Sequence, residues 1–206
     1  MSGDAARGLD PEFPNLDPAV VAGYRSAPDT LVAEVLGGEL SLLPRPRRRH
    51  ARSAGRLGAE LDGPFDLGRD GPGGWLFLPE PELHLGSKPD IVVPDLAGWR
   101  RERLAEDFLD ESDDLTLAPD WVCEVLSPST AARDRVQKRH LYAQAGVAHY
   151  WLIDPDARVL EALVLSNGAW VEFGVYDDSA TARIAPFEAI EFPVGRLFLP
   201  READGE

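Results

Sequence analysis

The stretch 118–154, APDWVCEVLSPSTAARDRVQKRHLYAQAGVAHYWLID, leaves little freedom in how this chain can fold. In DWVCEVL the side chains of a strand alternate, so Val122, Glu124 and Leu126 share one face and Trp121, Cys123 and Val125 the other. Pro128 with Ser129 or Thr130 then starts a helix that runs to about Ala145, where Gly146 stops it. HYWLID returns to a strand. A strand, a helix and a second strand in succession need a sheet to lie against.

The rest of the chain supplies strands for that sheet. AEVLGGELSLLP (33–44) is two apolar runs split by Gly37-Gly38, a pair suited to the positive φ angles of a hairpin turn. Ala54, Leu57, Gly58 and Leu61 recur at three- and four-residue spacing and predict a helix, with basic residues at its N-terminal end. DGPFDLGRDGPGG (62–74) reads as loop, and WLFLP, ELHL and DIVVPDLAGW as consecutive strands. The acidic AEDFLDESDDL (105–115) links them to the opening stretch. VLEALVLS and GAWVEFGVY add strands after the DPDAR turn. The expected class is α/β (α+β), one mixed central sheet flanked by helices. Residues 1–18 and 201–206 are expected to fray, leaving 19–200 as a single domain; 206 residues at 44% hydrophobic content suffice for one sizeable core.

Composition narrows the function classes. The sequence has no apolar run of about 18 residues and no apolar leader, so no membrane span or secretory signal is expected and cytoplasm is the default compartment. A single cysteine, Cys123, supports neither a disulfide framework nor a zinc site, and reads as a small buried hydrophobe. The net charge of −15 repels polyanions at long range, yet PRPRRRHARSAGR (44–56) is locally basic. SPST (127–130) lacks the surroundings of a serine nucleophile and reads as a turn and cap.

Glu124 stands out, because a carboxylate on an apolar strand face needs an ion pair, hydrogen bonds or a metal ion. VVPDLAGW repeats the pattern with Asp95. Two acids on neighbouring strands suit one hard divalent cation, Mg²⁺ or Mn²⁺, which prefers oxygen ligands and keeps several waters. Such a site would activate water toward a phosphodiester. Asp134, Lys138 and Tyr142 fall on one helix face, so a part-exposed Lys138 would reach back toward Glu124.

VVPDLAGWRRERL, APDWVCEVLSPSTAARDRVQKRHLYAQAGVAHYWLIDPD and EVLGGELSLLPRPRRRH resemble the Uma-type putative restriction endonuclease family, a bacterial branch of the PD-(D/E)XK nuclease superfamily. The resemblance runs from about Val32 to the last strands. It implies a restriction-endonuclease-like core and a Mg²⁺-dependent phosphodiesterase acting on DNA. Asp95 matches the Asp of the PD element, with Asp90 of the preceding PD pair as competitor. Glu124 matches the acid of the second element, and Lys138 the family's helix lysine. Leu126 stands where an E-x-K element would place its lysine.

Several further residues are candidates. Glu39 would add a carboxylate from the hairpin, and His50 a proton shuttle or phosphate contact. Arg45, Arg47, Arg48, Arg49 and Arg52 would track a phosphate backbone. A homodimer is entertained as the assembly. The competing readings are a catalytically silent nuclease-fold module that binds protein or nucleic acid, favoured by Leu126 and the net charge, and a metal-dependent hydrolase of another phosphate ester.

Overall fold

The computed structural model describes residues 13, 15–86, 90–109 and 114–200. In chain order these form α1 (Pro18–Arg25), β1 (Leu31–Leu36), β2 (Glu39–Pro44), α2 (Arg48–Leu61), a π-helical turn (Asp62–Asp66), β3 (Trp75–Pro79), β4 (Leu83–Leu85), β5 (Asp90–Val92), β6 (Leu96–Arg100) and β7 (Trp121–Val125). There follow α3 (Ala131–Arg133), a second π-helical turn (Asp134–Lys138), α4 (Arg139–Gln144), β8 (His149–Asp154), β9 (Val159–Ser166), β10 (Ala169–Asp177), β11 (Thr181–Ala182) and β12 (Phe192–Pro193). Their contacts gather into two compact units.

The first unit comprises residues up to Arg45 with 82–93 and 113–117. Its antiparallel sheet has the order β2-β1-β5-β4. Gly37 and Gly38, at φ +60° and +83°, make the β1–β2 hairpin turn that the sequence predicts. Asp17 caps α1 through a 2.7 Å bond from the Ala19 N–H, and Pro18 opens the helix. Phe13, Leu16, Val21, Val35 and Ile91 form a buried cluster. The fold therefore reaches into the stretch 1–18 expected to fray, because Phe13 and Leu16 are large apolar side chains with a core to enter. Residues 1–12, 14 and 201–206 lie outside the described residues.

The second unit holds the large mixed sheet, order β10-β9-β8-β7-β6-β3. Neighbours are antiparallel except β7 and β8, whose parallel register sets Trp121 beside His149 and Glu124 beside Leu152. Parallel neighbours require a crossover, and the helix of residues 131–144 provides it. Leu57, Leu61, Phe65, Trp121, Cys123, Val125, Trp151 and Phe187 pack in one buried cluster, so one sheet face is sealed by α2 and the chain near Phe187. Gly98 on β6 makes this packing feasible: a Cβ there would come within 2.8 Å of the Phe77 ring and 3.3 Å of the Trp121 indole.

Three local readings are corrected. DIVVPDLAGW is two strands in different sheets: β5 pairs with β1 and β4, β6 with β3 and β7, and Val93-Pro94 between them carries no ladder pairing. Four strands thus form a sheet additional to the one expected. Residues 62–66 are not loop but prolong α2 as a π-turn, because Phe65 is apolar and buries there. The helix near 129–145 begins at Ala131 and contains a wide turn at 134–138.

Candidate active site

In β7, Trp121, Cys123 and Val125 face the tryptophan-rich cluster, which leaves Glu124 on the face covered by the 131–144 helix. Glu124 is 3% exposed. Its Oε1 accepts the Lys138 ammonium at 3.0 Å and the Tyr142 hydroxyl at 2.7 Å. Lys138 is itself 3% exposed and its Nζ lies 3.8 Å from Asp134 Oδ1, while Tyr150 donates its hydroxyl to the Asp134 carbonyl. The amine does reach the strand acid, but from a buried position rather than the part-exposed one expected. Asp134 and Lys138 lie in the π-turn and Tyr142 in the regular helix after it, and all three are buried on the side of the helix that covers Glu124.

Asp95 enters from the adjoining strand. Leu96 pairs with Cys123 in the antiparallel β6–β7 ladder, so Asp95, one position outside it, stands across from Glu124. Its Oδ2 accepts the Val125 N–H at 2.6 Å. Its Oδ1 is 3.2 Å from Nε2 of His50, on α2. Burial pulls the His50 imidazole toward its neutral form, but the Asp95 hydrogen bond and the charges of Asp95, Asp134 and Glu80 outweigh it, so His50 titrates above its ordinary value. His50 Nδ1 is buried and has no hydrogen-bond partner among the described residues.

Asp95 and Glu124 are the oxygen donors here that could hold a hard cation. Asp95, Glu124 and Asp134 bring three carboxylates against the ammonium of Lys138 and the imidazole of His50, all within the second unit. Among the described residues no group of three or more His, Cys, Asp and Glu is arranged to hold a metal ion. Mg²⁺ does not need one, because it binds through one or two carboxylates and keeps its waters. The nearby thiol takes no part: burial, then the charges of Asp95 and Glu124, push the Cys123 pKa well up and keep it protonated.

The remaining candidates stand elsewhere. Asp90, in the first unit, accepts the Gly37 N–H at 2.6 Å and clasps the hairpin turn. Glu39 is exposed at the start of β2. Arg45 donates to the Asp29 carbonyl at 3.1 Å, and Arg49 pairs with Asp156 at 2.9 Å. Arg47 and Arg48 are exposed at the start of α2, while Arg52 is part-buried, its Nε lacking a hydrogen-bond partner among the described residues. Two residues escaped the sequence reading. Tyr142, placed by its spacing on the helix face of Lys138 but given no role, binds Glu124 directly. Glu34, 1% exposed, accepts the Val93 N–H at 3.0 Å. Its signal was legible, since LVAEVL carries an acid inside an apolar run as DWVCEVL does.

Comparison with known proteins bears on the fold and the family. Among solved structures, a crystal structure titled as a putative nuclease belonging to DUF820 from Anabaena variabilis ATCC 29413 superposes with a TM-score of 0.64 at 19% identity, covering 81% of this chain and 89% of that one. That likeness shows a shared fold. No curated protein matches the chain. Among the described residues no helix is long and apolar enough to cross a membrane. The profile of the Uma2 family, described as "Putative restriction endonuclease", matches residues 23–195, most of the length, and the chain therefore belongs to the Uma2 family.

Proposed function

We propose that this nuclease-family protein is a Mg²⁺- or Mn²⁺-dependent endonuclease that hydrolyses DNA phosphodiester bonds. The observation that carries the reading is the buried contact of 3.0 Å between Lys138 Nζ and Glu124 Oε1. It restores, from a helix, the acid and amine pair that Leu126 denies to the strand. Asp95 and Glu124 would hold the cation, which when bound lowers the pKa of a coordinated water and offsets charge on the phosphate.

The chain's own groups divide the remaining work. Lys138 holds one Glu124 oxygen in a fixed orientation and would place a positive charge beside the bound cation and phosphate. Tyr142 fixes the same carboxylate from a second direction. The Val125 N–H and His50 hold the two oxygens of Asp95, so both acids are oriented before any ligand arrives. Arg47 and Arg48 at the start of α2 offer exposed cations to a phosphate backbone.

Nicking of supercoiled plasmid with Mg²⁺ or Mn²⁺ tests the reading, run beside melting curves with EDTA and with Mn²⁺. Wild type is expected to nick and to melt higher with Mn²⁺, and Asp95→Asn and Glu124→Gln to lose both properties. Nicking that survives Glu124→Gln would refute the assigned site. Wild-type protein that neither nicks nor responds to Mn²⁺ would leave the silent binding module as the better account.

A further inference from the structure

The helix that carries Lys138 has a second working side. Its outer flank and the β9–β10 turn enclose a groove lined by Arg135, Val136, Arg139, His140, Ala143 and Trp170, all in the second unit. The turn is tight, with Asn167 and Gly168 both at positive φ, and it sets Trp170 at the groove edge. Trp170 is held rigidly: its Nε1 donates to the Arg139 carbonyl at 2.7 Å, and its ring packs against Tyr150 at 5.6 Å. Trp75, Trp99, Trp121 and Trp151 are each at most 2% exposed, whereas Trp170 is only partly buried. The groove is cationic in a chain of net charge −15. Arg135 is engaged by both oxygens of Glu161, at 2.9 and 2.7 Å, but the Arg139 guanidinium has no carboxylate partner among the described residues, and His140 is exposed beside it.

We propose that this groove binds an unpaired nucleotide of a nucleic-acid strand, with the base stacked on the Trp170 indole and the neighbouring phosphate on Arg139 and His140. An indole accepts any base with a free face, and neither face is free inside a duplex, so the groove selects single-stranded over paired segments. A lone guanidinium beside a fixed aromatic plane matches the alternation of phosphate and base along such a strand. Arg135 and Val136 precede Lys138 and Arg139 follows it, so the groove and the amine of the proposed catalytic centre share one stretch of helix. The inference rests on the nuclease reading and deepens it, giving that centre a strand-holding site on the same helix.

The test uses the full chain in EDTA, with a short labelled oligodeoxythymidine and a blunt duplex as probes. Wild type is expected to bind the single strand in preference to the duplex, with quenching of tryptophan emission. Trp170→Leu should abolish the quench and weaken binding on the order of tenfold, and Trp170→Phe should keep most of the affinity. That contrast separates stacking from the hydrogen bond to Arg139, which both variants lose. Arg139→Gln should weaken binding and reduce the slope of log affinity against log salt by about 0.7, the value for one single-strand phosphate contact. Equal affinity in Trp170→Leu and wild type, duplex binding as tight as single-strand binding, or no binding at all would overturn the proposal. Plasmid nicking is followed in parallel: nicking that persists while binding ignores Trp170 refutes the groove alone, and loss of nicking dependence on Glu124 refutes the nuclease reading alone.

Discussion

Replacing Lys138 with Met removes a buried ammonium while keeping an unbranched side chain of similar length. Lys138 Nζ lies 3.0 Å from Glu124 Oε1 and 3.8 Å from Asp134 Oδ1, and all three side chains are at most 4% exposed. Removing one member of a buried ion pair costs about 3–5 kcal/mol, because the carboxylates left behind stay dehydrated without their shared cation. In a chain of this size that corresponds to a fall in Tm of roughly 6–20 °C. The assay is urea unfolding in EDTA of wild type, Lys138→Met, Glu124→Gln and the double variant. Glutamine at 124 keeps an acceptor for the Tyr142 hydroxyl but removes the charge, so the double variant should be more stable than the sum of the singles predicts, by about 0.5–3 kcal/mol. A loss below about 1 kcal/mol for Lys138→Met, or additivity within about 0.5 kcal/mol, would show that the pair is not the buried, coupled unit described. Mn²⁺ at about a hundred times its Kd should return about 2.7 kcal/mol to Lys138→Met if Glu124 ligates metal.

Other expectations follow from contacts away from this pair. Glu34→Ala should cost about 1–3 kcal/mol by leaving the Val93 N–H unsatisfied, whereas Glu39→Ala, at an exposed position, should stay within about 0.5 kcal/mol; equal losses in urea melts would contradict the burial assigned to Glu34. The Glu82 carboxyl is held below its usual range by the His84 hydrogen bond, set against burial and reinforced by Tyr24. Its contribution is therefore fully present above the unfolded value of about 4.3 and fades as pH falls through the lower folded value. Glu82→Gln should flatten the acid limb of a stability-against-pH curve, and an unchanged limb would count against it. Changing Arg47, Arg48 and Arg49 to Gln should reduce the salt dependence of duplex binding by up to about 0.9 per lost phosphate contact, with stability nearly unchanged because the Arg49–Asp156 pair is more than 60% exposed. An unchanged salt slope would return the cluster to ordinary solvated surface.

Much of this centre was legible in the sequence, for specific reasons. Strand alternation put Glu124 opposite in facing to Cys123, and the ladder honours it: Cys123 packs in the tryptophan cluster and Glu124 under the helix. Spacing put Asp134, Lys138 and Tyr142 on one helix face. What local pattern could not supply was depth. A lysine four residues after an aspartate reads as a solvated pair, and only packing against β7 and β8 shows that its ammonium is enclosed. Nor could it separate the two PD pairs. Asp90 and Asp95 differ by which strands recruit the residues beside them, β1 and β4 in one case and β7 in the other, and pairing at that sequence distance leaves no local trace. Glu34 carries the same signature as Glu124, an acid inside an apolar strand, but its partner is the Val93 N–H, a contact across sequence that no local pattern announces.

The wide turn at 134–138 ties helix length to chemistry. A π-turn is one residue longer than the α-turn it replaces, so deleting one residue inside it lets the backbone relax to an ordinary α-helix while the positions downstream, Tyr142 included, keep their facing toward Glu124. What such a deletion changes is the spacing from Asp134 to Lys138, and with it which acid stands beside the amine. In an alignment, a one-residue gap between those two positions would mark chains whose helix is regular there.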